Sequence, residues 1–141
     1  MFRLSNLSEI GQWICLIFAT LGTLILNYLG GWDISMSVLV AFTFTDFITG
    51  LAVAIFINKN LNSEVGYKGI FKKFLIFGLI GLCNMLDQAL NIDMLRKLSI
   101  FFYIANEGIS LLENTTKLGV PYPNKLKDIL TQLKDKNLDV K

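Results

Sequence analysis

The chain has 141 residues, of which 53% are apolar and only 17% charged, with a net charge of +2 and no histidine. Soluble domains carry roughly 25% charged residues, and a chain this short cannot hide so much apolar surface in a core of its own. The composition therefore points to an integral membrane protein. The missing histidine excludes histidine metal sites and Ser-His or Cys-His dyads, and the small net charge gives no argument for nucleic acid.

Polar Ser5–Glu9 offers a helix start ahead of the first apolar run. From Ile10 to Trp32 there is no charge, a length that crosses a bilayer core of about 30 Å. Trp13, Tyr28 and Trp32 lie towards its ends, where amphipathic aromatics prefer the headgroups. No Ala-x-Ala-like end follows, so a cleaved signal peptide is not expected and this first segment is expected to stay. Gly30-Gly31-Trp32-Asp33 reads as a tight turn.

The second span, 34–57, carries Asp46 at its centre. A carboxylate there costs about 2.5–3.5 kcal/mol on insertion scales, so it needs a partner, water or a proton. Thr43, Thr49, Gly50 and Ala54 share its helical face, and small and hydroxyl residues beside an acid suit a helix–helix contact. Residues 58–73 read as a hydrophilic loop holding Lys59, Lys68, Lys72 and Lys73 against Glu64, a basic membrane-surface cluster. The third span, 74–90, has Gly78 and Gly81 for close packing and Asp87 near its far end.

After a short connection, Leu98–Leu112 begins a fourth segment, near 98–116. It presents Asn106, Glu107, Ser110, Glu113 and Asn114 on one side, so it either spans with that face towards protein or water, or lies in the interface. Gly119-Val120-Pro121-Tyr122-Pro123 ends it. Asn124 then starts a short amphipathic helix with Leu126, Ile129, Leu130 and Leu133 at helical spacing. This helix is expected to lie on the membrane surface or to pair with its copy. The expected organisation is a membrane domain over 1–118 and a cytoplasmic amphipathic tail over 119–141.

The fold class is thus an all-α integral membrane protein of about four transmembrane helices, with a three-span alternative in which the first or fourth segment lies flat. With four crossings, Arg3, the four loop lysines and six tail lysines share one side, against Arg96 and Lys97 on the other. The positive-inside rule then puts both termini in the cytoplasm. Cys15 and Cys83 read as ordinary apolar-environment residues. With no Cys-x-x-Cys, phosphate-binding glycine loop or nucleophile–base pair, no catalytic residue, cofactor or metal is expected.

The ordered motifs resemble those of the toxin-secretion/phage-lysis holins of Gram-positive bacteria and their phages. They are Asp46-x-x-x-Gly50 with Ala52 and Ala54, Lys59-x-Leu61-Asn62-Ser63, Gly66, Lys68-Gly69, Lys72-Lys73, Asp87, the run Asn106–Asn114, and Gly119-Val120-Pro121-Tyr122-Pro123 with Lys125-Leu126. The likeness covers roughly residues 34–130; the first 33 residues carry no matching motif. It implies a non-enzymatic pore former that self-associates in the cytoplasmic membrane and releases an endolysin or a toxin. On that reading Asp46, Thr49, Gly50, Asp87, Asn106, Glu107, Ser110, Glu113 and Asn114 form an oligomer or pore face, and the partners are copies of the chain and the lipid bilayer. The competing class is a small proton- or cation-conducting channel or transporter subunit, since intramembrane acids are common in both. A third is a membrane protein whose polar face anchors a partner.

Overall fold

A computed structural model describes the backbone of residues 2–59 and 63–136 and the side-chain surroundings of residues 9–59 and 66–135. Within them the chain is all-helical: α1 (Phe2–Tyr28), α2 (Ile34–Phe56), α3 (Ser63–Leu90), α4 (Leu95–Lys117) and α5 (Asn124–Lys136). Leu61, Asn62, Lys141 and the side chain of Arg3 lie outside the described residues. Three helical stretches are long and apolar enough to cross a membrane, Glu9–Tyr28, Ile34–Phe56 and Gly66–Leu90. The fourth helix is not among them, because Arg96, Lys97, Glu107, Glu113 and Lys117 interrupt it.

Helices α2, α3 and α4 form the body. Their buried positions recur mostly in steps of three or four residues, the spacing of one helical face. On α2 these are Met36, Leu39, Thr43, Asp46 and Val53; on α3, Ile76, Ile80, Asn84 and Asp87; on α4, Arg96, Ile100, Ile104, Glu107 and Leu112. The apolar centre joins Met36, Leu39, Ile76, Ile80, Ile100 and Ile104 with Leu29, flanked by Phe42, Phe77 and Tyr103. Arg96 contacts Asp33 at one end, and Asn114 contacts Thr49 further along, so α4 runs parallel to α2, with α3 antiparallel between them in sequence. Helix α1 touches this body at its C-terminal end, where a Cβ at Gly81 would overlap the Tyr28 ring and the Tyr28 hydroxyl donates to Gly78 O at 2.7 Å. The rest of its apolar length is exposed.

The helix ends are closed by specific groups. The Gly31 and Gly30 amides return to Leu26 O and Asn27 O, a Schellman stop that requires the positive φ of Gly30, +79°. Here a side chain would also strike Asn84 and Arg96. Asn91, at φ +53°, ends α3 in the same way, and Gly119 ends α4. Asp33 caps α2 by accepting the Met36 N–H at 2.8 Å. The start of α4 has no local side-chain cap. Asp87 of α3 supplies one from a distance, accepting the N–H groups of Leu95 and Arg96 at 2.9 Å and of Met94 at 3.4 Å. Arg96 then donates to Leu29 O at 2.6 Å, Gly31 O at 3.1 Å and Asp33 Oδ2 at 2.7 Å, while Asn84 donates to Tyr28 O at 3.1 Å. One knot of polar groups thus fixes the ends of α1 and α3 and the starts of α2 and α4.

Several expectations change. Helix α1 begins at Phe2, so Ser5–Glu9 lie within it rather than ahead of it. The expected hydrophilic loop over 58–73 is largely helix, because lysine and glutamate are good helix formers and Lys73 continues the buried face of α3. Lys68, Lys72 and Lys73 therefore stand on α3. Helix α4 starts at Leu95 rather than Leu98, where Asp87 can cap it.

Asp87→Ala should cost about 1–3 kcal/mol, the range for losing a cap and leaving buried amides unpaired. Asp93→Ala, at a carboxylate 79% exposed, should fall within about 0.5 kcal/mol. Thermal unfolding in mild detergent compares them; equal effects would contradict the capping role. Burial pushes the Asp33 carboxyl upward, but the Met36 amide and the Arg96 guanidinium outweigh it and hold the group below its ordinary 3.8. A carboxyl lowered by folding stabilises the fold above its unfolded pKa, and that contribution is lost as pH falls through the folded value. Melts of the wild type should therefore lose stability below about pH 4, and Asp33→Asn should lose less over that window.

Candidate functional site

Asp46 lies 12 residues past the start of α2 and 10 before its end, about 18 Å and 15 Å at 1.5 Å per residue. Its helical face turns inward, towards α3 and α4. Lys73 reaches it from α3, with Nζ 2.5 Å from Asp46 Oδ2. The same ammonium donates to Glu107 Oε2 on α4. Lys72 approaches from the rim, its Nζ 3.2 Å from Glu107 Oε1. Asn114 completes the second carboxylate oxygen of Asp46, donating to Oδ1 at 3.1 Å and to Thr49 Oγ1 at 3.5 Å. The three helices that form the body each contribute a charge to one point.

The cluster is dry. Glu107 is wholly buried, Asp46 is 7% exposed and the Lys73 side chain 13%; Lys72 remains half exposed. Two acids face two lysines, so the group is neutral as a whole. Removing a charged pair from water costs several kcal/mol per ion unless geometry and hydrogen bonds compensate, and here one ammonium serves two carboxylates while an amide serves the remaining oxygen of Asp46. Removing a single member would leave a buried charge without its partner, which costs about 3–5 kcal/mol. Beside the cluster a cleft of about 220 Å³ opens, lined among others by Asp46, Gly50, Gly69, Lys73, Ser110 and Asn114. At about 30 Å³ each it has room for several water molecules.

The sequence-derived residues divide into three groups. Asp46, Thr49, Glu107 and Asn114 meet in the cluster, with Gly50 packed below Asn114 and Ser110 on the cleft wall. Asp87 belongs to the knot at the other end of the body. Asn106 turns towards α5, accepting from Lys134 Nζ at 3.4 Å, and Glu113 is exposed. Among the basic residues, Lys59 and Lys68 are exposed, whereas Lys72 and Lys73 pair with the buried acids. Reading the sequence placed Lys73 at the membrane surface rather than between the acids, and gave Arg96 and Asn84 no site role. The spacing 73, 76, 80, 84, 87 was the available signal for two of them, since it places Lys73 and Asn84 on the same inward face as Ile76 and Ile80. Among the described residues no group of His, Cys, Asp and Glu is arranged to hold a metal ion.

Comparison with known proteins identifies the family. The family model of the bacteriophage holin family matches residues 23–135, which takes in the end of α1 and nearly all of α2–α5. The chain is 45% identical over 119 residues to the "uncharacterized 14.9 kDa protein in nagH 3′ region" of Clostridium perfringens, covering 83% of this chain and 89% of that one. It is 39% identical over 108 residues to the uncharacterized protein Lmo0128 of Listeria monocytogenes, covering 75% and 76%, and 32% identical over 110 residues to YtkC of Bacillus subtilis, covering 77% and 81%. No solved structure matches it. A family model spanning the whole ion cluster and both polar ends of the body decides the assignment: the chain belongs to the bacteriophage holin family.

Proposed function

We propose that this membrane protein works as a holin. It accumulates in the cytoplasmic membrane with its N-terminus and the end of α4 inside, self-associates, and opens a lesion through which an endolysin or a toxin leaves the cell. The observation that carries the reading is the Lys73 bridge between Asp46 and Glu107. A lesion-forming protomer must enter the bilayer without lethal leakage and later present polar groups to water. The bridge supports both requirements. While closed, the protomer carries its acids as internal pairs at low cost to the hydrocarbon. When copies associate and water enters the cleft beside Asp46, the same groups become solvated, and the desolvation that burdens the closed cluster favours opening. Asp46, Thr49, Gly50, Glu107, Ser110 and Asn114 are then the surface that meets water or the neighbouring copy. Asp87 acts at the other end, keeping α4 in register, and Asn106 and Glu113 border the face.

Asp46→Leu and Glu107→Leu should therefore still accumulate in the membrane but change the time of lysis, because each leaves Lys73 short of a partner and lowers the stability of the closed form. Asp46→Asn should be milder, since an amide still accepts a hydrogen bond from the ammonium. Growth curves with matched immunoblots measure this, and unchanged lysis in both leucine variants would contradict the role. Purified protein in vesicles loaded with a globular enzyme separates the holin from the channel reading. Release of the enzyme together with small ions is expected; ion flux with the enzyme fully retained would favour a proton or cation channel instead.

A further inference from the structure

Helix α5 folds back along α4. Leu130 is buried with its Cδ1 against Gly108, beside Phe42 of α2; a Cβ at Gly108 would lie 2.9 Å from each. Further along α5, Lys134 reaches Asn106, so the two helices run antiparallel. Depth follows from the helix rise. Phe42 is eight residues into α2, about 12 Å, and Gly108 is next to the buried cluster. The middle of α5 therefore stands level with the middle of the body, not beyond its end.

The two sides of the protomer are chemically opposite at this depth. On one side the exposed residues are apolar, among them Phe18 of α1, Phe44 and Ile48 of α2, and Leu75 and Leu79 of α3. On the other, α5 turns out Lys125, Lys127, Asp128, Gln132 and Asp135, with Leu126 and Ile129 also exposed among them. Charges facing hydrocarbon near its centre cost about 2.5–3.5 kcal/mol each even on the lenient insertion scales, so several on one short helix exclude lipid from that side. Lipid cannot cover this face, and α4 already covers the opposite one.

Resting on the holin reading, we propose that α5 is the water-facing wall of the assembled lesion: copies stand with α1–α3 towards lipid and α5 towards the enclosed water. The lumen charge is then set mainly by the exposed face of α5.

The test is ion selectivity of the full-length protein in planar bilayers. A salt gradient around 10 mM is suitable, where the screening length is about 30 Å and wall charges act across a wide opening. The variants Lys125→Glu/Lys127→Glu and Asp128→Lys/Asp135→Lys alter only exposed positions and should leave folding unchanged, which thermal unfolding verifies. The first should raise the permeability ratio of potassium to chloride several-fold and the second should lower it. Conductance in both variants with the wild-type ratio would overturn the inference while leaving the holin reading intact. A wild-type protein that gives no conductance would refute the holin reading, and the inference with it.

Discussion

One ammonium group shared by two carboxylates organises this protein. Lys73 touches Asp46 of α2 and Glu107 of α4, so each helix of the body brings to the centre a charge that is tolerable there only with the other two. Buried ion pairs are weak evidence for net stability. Their stronger effect is on arrangement, because a shift of one helix by a turn, about 5.4 Å, would separate all three charges. This contact and the Asp87–Arg96 knot together tie the register of α2, α3 and α4, and the cleft and the polar faces follow from the register.

The apolar part of the body is bounded at both ends. One boundary is the ion cluster. The other is the knot in which Asp87 caps α4 and Arg96 holds the Leu29–Asp33 turn. Asp33 and Asp46 are 13 residues apart on one helix, Lys73 and Asp87 14, and Arg96 and Glu107 11, or about 17–21 Å of helix. Between them lie Met36, Leu39, Ile76, Ile80, Ile100 and Ile104. This inner slab is thinner than a hydrocarbon core of about 30 Å, whereas the outward apolar surface of α2 and α3 runs on past the cluster through Ile48, Ile55, Phe56, Ile70 and Phe71. On the side of α1–α3 the protomer is thus polar inside and apolar outside at the same depth. That combination suits a protein that is stored in lipid and later turns an inner surface to water.

Much of this was legible in the sequence. The cost of a mid-span acid singled out Asp46 and Glu107, and the spans of α1 and α2, the stop at Gly119 and the start of α5 followed from hydropathy and turn chemistry. What was not legible depended on contacts between segments. Lys73 reads as part of a basic loop because positive charge beside an apolar run marks a membrane edge; its buried role requires knowing that carboxylates from two other helices await it. Asp87 caps a helix that begins eight residues later, and no local motif announces that. Leu130 and Gly108 belong to separately ordinary patterns, a leucine stripe and a small residue, whose meeting decides where α5 lies. The pattern of polar residues at inward spacing on α3 was visible, but an inward lysine has no explanation until its partners are known.

The central claim is that Lys73 neutralises the buried acids within one folded chain. It is tested most directly by a double-mutant cycle between Lys73→Met and Glu107→Gln, with unfolding free energies measured in mild detergent. Each single variant leaves a buried partner unmatched and the double variant leaves less, so the cycle should show coupling of at least about 1 kcal/mol, within the 0.5–3 kcal/mol range of residues in contact. Single-variant effects that add to within about 0.5 kcal/mol, as for distant independent sites, would contradict it.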